Sequence, residues 1–346
     1  MNAIGRRAGL GAALALPLLS RYGAAQSGLT RIRFTLDWRL QGVHAWFYLA
    51  RERGYFRDAG LDVVIDQGEG SAAAVTRVMS GAYDAGFGDI TAVIVAAAQN
   101  PAEAPRIVYE MYNRGPYAVV VRADSPVRTL RDLEGRSVGA PAGSASARLF
   151  PALLRLNGID PSRVTLSNVA ANLQEPMLQR GALDGILGHN YSIYINLPAV
   201  GLDPDRDARW LTYAENGLDI YCNGVIASPK LMRENPGAVR GLLAGINRAV
   251  REGMADPDAA IRSLRAVEPL LDAEVEKRRL LYTVRNVMLT PFTAAEGFGG
   301  VEPRLLDHTI RSIAEAFALP RVPAAAEVFD GSFLPPQDAR RFGAVG

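Results

Sequence analysis

The sequence predicts an α/β protein with two lobes, which are joined by two crossing strands and enclose a ligand cleft. Three observations support this fold class. Strand-like apolar runs alternate with helix-like segments between residues 30 and 216. Two long apolar runs, 117–122 and 220–228, interrupt that alternation, and the pattern from Pro229 onward is mostly helical. Alternation of this kind is typical of sheets covered by helices.

The order of these segments also predicts how the chain divides. We expect a discontinuous first lobe formed by residues 30–112 and 226–346, and a second lobe spanning residues 122–216. The chain would cross between the lobes at residues 113–121 and 217–225. Ligands of open α/β sheets bind at the carboxyl ends of the strands. A binding site is therefore predicted in the cleft between the lobes.

The first series of elements begins with a strand at 32–36, which ends at Asp37-Trp38. An aromatic-rich helix follows and stops at the turn Gly54-Tyr55-Phe56. Gly68-x-Gly70 then separates a strand from a helix that Ser71 is expected to cap. The later elements of this series are predicted in order as strand 61–67, helix 71–80, strand 84–88, helix 91–99 and strand 106–110.

The second series begins with the β-branched run at 117–122, YAVVVR, which indicates a strand buried on both faces. Asn157-Gly158 is expected to end the long helix of this lobe. Between the run at 117–122 and the return strand at 220–228, the predicted elements are helix 130–134, strand 137–140, helix 144–156, strand 164–168, helix 174–180 and strand 182–187.

The first 25 residues resemble a cleavable export signal. Arg6 and Arg7 form a basic start, residues 8–19 are apolar, and Gly23-Ala24-Ala25 supplies small residues at the cut. The apolar run is shorter than the roughly 20 residues that a membrane span needs. We expect export to the periplasm by the general secretory route or, because of the paired arginines, the twin-arginine route, and no stable membrane insertion.

Composition limits the classes of partner and cofactor. Cys222 is the only cysteine, so an internal disulfide and a cysteine cluster for metal are excluded, and no metal or cofactor is expected. Once Arg6, Arg7 and Arg21 leave with the signal, 35 of the 38 basic side chains remain and nearly balance the 36 acidic ones. This charge argues against nucleic acid as a partner. We expect a monomer.

Candidate ligand contacts lie where strands end and helices begin. Trp38 can stack on a planar ligand or fill a gap in the core, and His44 can contact ligand or cap its helix. The helix start at Gly70 and Ser71 offers backbone amides to an anion or a carbonyl oxygen, and Ser144 does the same in the second lobe. Two such starts facing each other would clamp a polar ligand.

Two further candidates carry charge. Asp89 follows Gly86-Phe87-Gly88 on a strand-to-helix turn, where it can cap the helix or contact ligand. Arg114 lies near the first predicted crossing, where it can neutralise a carboxylate or sulfonate, although solvation is the simpler role of an arginine at a surface.

No catalytic residue is predicted. The sequence lacks a Gly-x-Ser-x-Gly elbow and a His-Glu-x-x-His pair. Two alternatives to transport remain, and one is a sensor or scaffold that uses the same fold. The other is an exported nicotinamide-dinucleotide-dependent oxidoreductase, because Gly68-x-Gly70-x-x-Ala73 after a strand is similar to a dinucleotide fingerprint. A strand and a helix precede this segment, whereas the fingerprint belongs on the first strand of a nucleotide domain.

The order of short segments resembles a family of periplasmic solute-binding proteins of ABC importers. This family includes binders of nitrate, sulfonates, taurine and thiamine-pyrimidine precursors, together with the related fungal pyrimidine synthases. The matching segments are Asp37-Trp38 with His44, Gly54-Tyr55-Phe56 leading to Gly60-Leu61-Asp62-Val63, Ser80-Gly81 with Asp84, Leu133-Glu134-Gly135-Arg136, Glu234-Asn235-Pro236 and Phe333-Leu334-Pro335-Pro336.

The resemblance implies a two-lobed periplasmic binding protein fold of type II. It also implies a small-molecule ligand and delivery of that ligand to a cognate permease and ATPase complex. The fungal synthases carry a cysteine-rich iron motif where this chain has Cys222 alone, so an enzymatic role is not expected. The pyrimidine binders tend to present a carboxylate where this chain has His189-Asn190-Tyr191, and Asn190 is the ligand contact expected there. A thiamine-pyrimidine precursor, a sulfonate or taurine, and an aromatic carboxylate remain possible ligands.

Overall fold

The computed structural model describes residues 28–342. The predicted signal, residues 1–25, lies outside the described residues. No helix in the described range is both long and apolar enough to cross a membrane.

The first sheet has five strands in the order β2-β1-β3-β10-β4. Its strands are β1 (Thr30–Thr35), β2 (Leu61–Asp66), β3 (Ala85–Asp89), β4 (Arg106–Glu110) and β10 (Asn223–Ala227). β1 pairs in parallel with β2 and β3, whereas β10 is antiparallel to both β3 and β4. The strand that returns late in the chain therefore lies inside the sheet rather than at its edge.

The second sheet repeats this plan in the order β7-β6-β8-β5-β9. Its strands are β5 (Tyr117–Arg122), β6 (Ser137–Ala140), β7 (Thr165–Asn168), β8 (Gly185–His189) and β9 (Ala208–Thr212). β5 is antiparallel to both β8 and β9, and five of its six residues are buried. The predicted α/β class, with two lobes each built on one sheet, is confirmed.

Two strands of the second sheet differ from the sequence prediction. β9, with the sequence ARWLT, was not predicted, because its charged and half-buried residues lack the apolar signal of an internal strand. β8 begins at Gly185 rather than at Ala182, since residues 181–184 form the turn that leads into it. That shift places His189 at the end of β8.

Helices cover both sheets and dominate the last third of the chain. They are α1 (Ala45–Glu52), α2 (Tyr55–Asp58), α3 (Ser71–Met79), α4 (Ile90–Gln99), α5 (Ala145–Leu156), α6 (Gln174–Gln179), α7 (Asn190–Asn196), α8 (Pro229–Glu234), α9 (Pro236–Ala255), α10 (Pro257–Arg265), α11 (Ala273–Thr283), α12 (Pro291–Glu296), α13 (Pro303–Ala316), α14 (Ala325–Val328) and α15 (Gln337–Arg340). A π-helical turn, Val284–Met288, follows α11.

The chain passes between the sheets twice, between Glu110 and Tyr117 and again between Thr212 and Asn223. The predicted boundaries define which segments would move together as one lobe. These boundaries and the two predicted crossings stay predictions. Buried side chains from both lobes nonetheless form one continuous cluster. A row of rings runs through it from Phe87 to Tyr112, at 5.4 Å between centroids, and on to Tyr191 of the second lobe at 5.7 Å.

A buried ion pair joins the lobes beside the cleft. Arg279 of α11 donates two hydrogen bonds to Glu276, at 2.9 and 3.2 Å, and both side chains are almost fully buried. The Arg279 guanidinium also donates to the carbonyls of Tyr191 and Ser192 at 3.3 and 3.1 Å, and to Asn196 Oδ1 at 3.0 Å. A helix of the C-terminal region thereby holds α7 of the second lobe in place.

Replacing Arg279 by Met should lower the free energy of unfolding by about 3–5 kcal/mol, because Glu276 would keep a buried charge without its partner. The double variant Glu276→Gln/Arg279→Met should recover part of that loss. Denaturant unfolding measures both. Arg311→Met, which breaks an exposed pair with Asp307, is the matched control and should be nearly neutral. A loss for Arg279→Met no larger than that of the control would contradict the assigned role.

Candidate functional site

The main cavity lies between the lobes, at the carboxyl ends of β1, β6 and β8. It encloses about 680 Å³, counting space that opens to solvent. The predicted contacts Trp38, His44, Gly70, Ser71 and Ser144 all lie in its lining. Their contact with a ligand stays a prediction.

Trp38 follows the carboxyl end of β1 and is held there by backbone hydrogen bonds with the loop between β2 and α3. The Gly68 amide donates to the Trp38 carbonyl at 3.1 Å, and the Gly70 amide donates to the Asp37 carbonyl at 2.6 Å. A Cβ on Gly68 would lie 2.0 Å from the Leu36 carbonyl oxygen, so only glycine fits there. The Trp38 side chain is half-buried in the cavity wall, which leaves part of the indole available for stacking.

Asp37 presents a buried carboxylate to the same cavity. Its Oδ2 accepts from Asn223 Nδ2 at 2.7 Å, and its Oδ1 lies 3.1 Å from His44 Nε2. The Gln41 amide donates to His44 Nδ1 at 3.2 Å, which assigns the ring proton to Nε2. His44 therefore donates to Asp37 and orients it, while each carboxylate oxygen keeps a lone pair for a further donor.

Glu175 presents a second carboxylate from α6. Only 5% of this residue is exposed, and Asn196 donates to its Oε1 at 2.8 Å. Burial raises the pKa of Glu175, and the hydrogen bond from Asn196 opposes that shift. The neighbouring Gln174 donates to the Leu187 carbonyl at 2.9 Å, which ties the start of α6 to β8. Both residues line the cavity.

The two predicted helix starts face each other across the cleft. α3 is capped by the backbone of Gly70, with φ of 135°, and not by Ser71 as the sequence suggested, because the structure places Ser71 inside the first turn. α5 is capped by Ser144, whose Oγ accepts from the Ala147 amide at 3.3 Å. A Cβ on Gly70 would lie 2.5 Å from the Gly143 carbonyl oxygen. The close approach of these loops indicates that the lobes are closed.

Three predicted site residues lie outside the main cavity lining. Asp89 is buried below the cavity and caps α4, where it accepts from the Thr91 amide at 2.6 Å. Asn190 begins α7, and its amide donates to the Pro116 carbonyl at 2.7 Å. Arg114 is exposed. Their ligand contacts stay predictions; the neighbour of Asn190, His189, lines the main cavity.

Several polar residues of the lining were missed from the sequence. Asp37 was noticed only as part of a segment match, although it directly precedes the proposed stacking residue Trp38. Nothing in the local sequence singles out Glu175 or Asn196, because their entry into the cavity depends on how α6 and α7 pack together. The residues missed are Asp37, Gln41, Gln174, Glu175, His189, Ser192 and Asn196.

Asp89, His189 and Cys222 form a second group below the cavity floor. One potential ligand atom from each lies within 4.8 Å of the other two. The Cys222 sulfur lies 3.1 Å from Asn223 Oδ1, 3.4 Å from Asp89 Oδ2 and 4.0 Å from His189 Nε2. These three residues are far apart along the chain, so no local sequence pattern connects them.

Several curated proteins are similar to most of the chain. A riboflavin-binding protein from Chloroflexus aurantiacus is 23% identical over 328 residues, covering 93% of this chain and 88% of that protein. A formylaminopyrimidine-binding protein from Halalkalibacterium halodurans is 26% identical, covering 82% and 84%. A 4-amino-5-hydroxymethyl-2-methylpyrimidine phosphate synthase from Aspergillus parasiticus is 24% identical, covering 72% and 74%.

Solved structures show the same fold. The periplasmic aliphatic sulphonate binding protein of Escherichia coli superposes with a TM-score of 0.65 at 17% identity, covering 85% of this chain and 95% of that one. The alkanesulfonate-binding protein of Xanthomonas axonopodis pv. citri, bound to MOPS, gives a TM-score of 0.62 at 16% identity, covering 87% and 99%. The predicted periplasmic binding protein fold is confirmed.

The family resemblance inferred from the short segments is confirmed as well. The family model described as NMT1/THI5 like matches residues 41–260, which is more than half of the chain. The matched range includes α1, the cavity carboxylate of Glu175 and the cavity residues of α6 and α7, and it begins after Asp37 and Trp38. The protein belongs to the NMT1/THI5-like family.

Proposed function

We propose that the protein is the extracytoplasmic ligand-binding component of an ABC importer, and that its ligand is a small planar heterocycle with hydrogen-bond donors or a positive charge. The observation that carries this proposal is the pairing of two buried carboxylates, Asp37 and Glu175, with the half-buried ring of Trp38 in one cavity. A ring that stacks on Trp38 would direct its amino or ring N–H groups to these oxygens.

The electrostatics of the cavity favour such a ligand over a sulfonate or a carboxylate. An anion would meet the oxygens of Asp37 and Glu175, and like charges at short range are unfavourable. Arg39 is the cation in the described cavity lining, and its side chain is exposed. Arg279 is committed to Glu276. Backbone amides in the first turns of α3 and α5 can donate to a carbonyl oxygen of a neutral heterocycle.

The names of two relatives point the same way. One binds riboflavin and another a formylaminopyrimidine, and both ligands are nitrogen heterocycles. The carboxylate that pyrimidine binders tend to present after the strand of His189 is absent here. Glu175 supplies a carboxylate to the same cavity from α6, so the pyrimidine class is favoured again.

Closure of the two lobes would bury this ligand and create the surface that a permease and its ATPase recognise. Ser192 of the second lobe donates to Gln41 of the first at 3.1 Å, and the Gly70 and Gly143 loops touch. A ligand that contacts both lobes stabilises the closed form by its differential affinity for it. Export to the periplasm, transport and a monomeric state belong to this proposal.

We also propose binding rather than catalysis. The nicotinamide alternative required free amides in the Gly68-x-Gly70 turn, but both glycine amides donate to the loop that carries Trp38. The segment at 217–228 contains Cys222 as its one cysteine, unlike the cysteine-rich motif of fungal pyrimidine synthases. No cofactor is part of the proposal.

A ligand panel tests the chemical class. We expect aminopyrimidines, including the formylamino form, to raise the Tm of refolded, ligand-stripped protein by several degrees at 100 times their Kd. Taurine, alkanesulfonates and aromatic carboxylates should leave Tm unchanged. A shift produced by the anions alone would contradict the class, and a shift produced by nicotinamide dinucleotides alone would favour the enzyme alternative.

Trp38→Leu should weaken binding of the heterocycle that the panel identifies by about 5- to 150-fold, because stacking of a base on an aromatic ring contributes about 1–3 kcal/mol. Isothermal titration calorimetry measures the change. Trp210→Leu is the matched control, since Trp210 is also half-buried but lies outside the cavity lining. Equal affinities for the two variants would remove Trp38 from the site.

Glu175→Gln should weaken the same ligand by about 10-fold or more, since hydrogen bonds to charged groups contribute about 1.5–3 kcal/mol. The same substitution should stabilise the ligand-free protein at neutral pH. Burial raises the pKa of Glu175 in the folded protein. Unfolding therefore releases a proton at pH values between the unfolded-state and folded-state pKa. The contribution of Glu175 to the free energy of unfolding falls as pH rises through that window.

Thermal unfolding from pH 4 to pH 8 checks this sign. The Tm of Glu175→Gln minus that of wild type should increase with pH. Glu215→Gln removes an exposed carboxylate and is the matched control. The Tm difference between this variant and wild type should not change with pH. A difference that decreased with pH would contradict the role of burial.

A further inference from the structure

The group formed by Asp89, His189 and Cys222 brings together three separate parts of the chain. Asp89 ends β3 of the first lobe, His189 ends β8 of the second lobe, and Cys222 immediately precedes β10 on the return link between the lobes. Asp89 and Cys222 are fully buried, while His189 is half-buried because one side of it borders the ligand cavity.

The separations suit a single bound ion. In a tetrahedral zinc site, with bonds of about 2.3 Å to sulfur and about 2.0–2.1 Å to nitrogen and oxygen, the sulfur lies about 3.5–3.6 Å from each other ligand atom. Here the Cys222 sulfur lies 3.4 Å from Asp89 Oδ2 and 4.0 Å from His189 Nε2. The ligand atoms of Asp89 and His189 lie within 4.8 Å of each other, so side-chain rotations that shorten this separation would bring all three atoms onto one ion.

The histidine is oriented for this role. His189 Nδ1 lies 2.8 Å from the Tyr191 hydroxyl, which leaves Nε2 directed toward Cys222. A hydrogen bond on the second ring nitrogen is the usual way in which a metal-binding histidine is held in position.

The surroundings are acidic. Asp89 accepts hydrogen bonds from Thr91, Tyr117 and Cys222, and within residues 28–342 neither Lys nor Arg donates to it. Glu110, also fully buried, has one oxygen without a hydrogen-bond partner among the described residues. A cation at this point would pair with the buried carboxylate of Asp89.

We propose that Asp89, His189 and Cys222 form a binding site for a divalent transition-metal ion, with Zn²⁺ as the first candidate. The mixed set of one sulfur, one nitrogen and one oxygen donor is typical of zinc. On binding, the Cys222 thiol releases its proton to solvent and the thiolate takes its place on the ion. The proposal replaces the expectation that the chain binds no metal, and it does not depend on the identity of the organic ligand.

Because the three donors come from both lobes and the link between them, the ion would join the lobes beneath the ligand cavity. The site therefore differs from one formed by a local run of cysteines, which would constrain a single segment. Metal binding should raise the Tm of the protein by about 5 °C at 100 times the Kd.

Cobalt spectroscopy of the purified protein, stripped of metal by a chelator under reducing conditions, provides the test. Addition of Co²⁺ should produce ligand-field bands in the visible range and a thiolate-to-cobalt charge-transfer band in the near ultraviolet. Stoichiometric Zn²⁺ should remove both. Cys222→Ser should abolish the charge-transfer band, and His189→Gln should weaken Co²⁺ binding at least 10-fold.

His308→Gln, on an exposed helix position, is the matched control and should bind Co²⁺ as wild type does. If the buried variants fail to fold, zinc-edge X-ray absorption of the wild-type protein decides, with one sulfur neighbour at about 2.3 Å expected. Absence of a charge-transfer band in the wild type, an unchanged band in Cys222→Ser, or a zinc shell without sulfur would overturn the proposal.

Discussion

The buried pair of Glu276 and Arg279 is the contact on which the geometry of the cleft depends. Two of the Arg279 hydrogen bonds neutralise Glu276, and the remaining ones hold two carbonyls and one side chain of α7. The Asn196 amide that is positioned in this way donates to Glu175. On the other side, Glu276 accepts from the Gly42 amide, next to the loop that carries Trp38. One guanidinium thus places groups on both walls of the cavity.

A second constraint is the concentration of acidic groups between the lobes. Asp37 and Glu175 face the cavity, while Asp89 and Glu110 lie beneath it, and all four are buried. Neutral donors satisfy most of their oxygens, so the fold provides hydrogen bonds but little positive charge. Such an environment selects for donors and cations. The same physical property therefore favours a hydrogen-bond-donating heterocycle in the cavity and a metal ion below it.

The fold was largely predictable from the sequence, whereas the site was predictable only in part. Parallel strands that are buried on both faces form apolar runs in the sequence. The ends of these runs indicate where strands end, and this identified Trp38 and Ser144 as cavity candidates. β9 was missed because a half-buried edge strand lacks that signal. Glu175 lies on a six-residue helix whose orientation is decided by α7 and Arg279, and contacts between distant segments leave no local trace. Asp89, His189 and Cys222 also come together only in the folded structure, so no local sequence pattern groups them.

His189 connects the two proposed sites. One side of its ring borders the ligand cavity, and Nε2 points to Cys222. An ion held by Asp89, His189 and Cys222 would keep β8 of the second lobe close to β3 of the first, which is the arrangement that also brings Glu175 and Asp37 around a ligand. Any ion that binds the closed form better than the open form must raise the affinity for the ligand, and the ligand must raise the affinity for the ion by the same factor. The position of His189 therefore makes metal occupancy a physical means of adjusting how tightly the cleft holds its ligand.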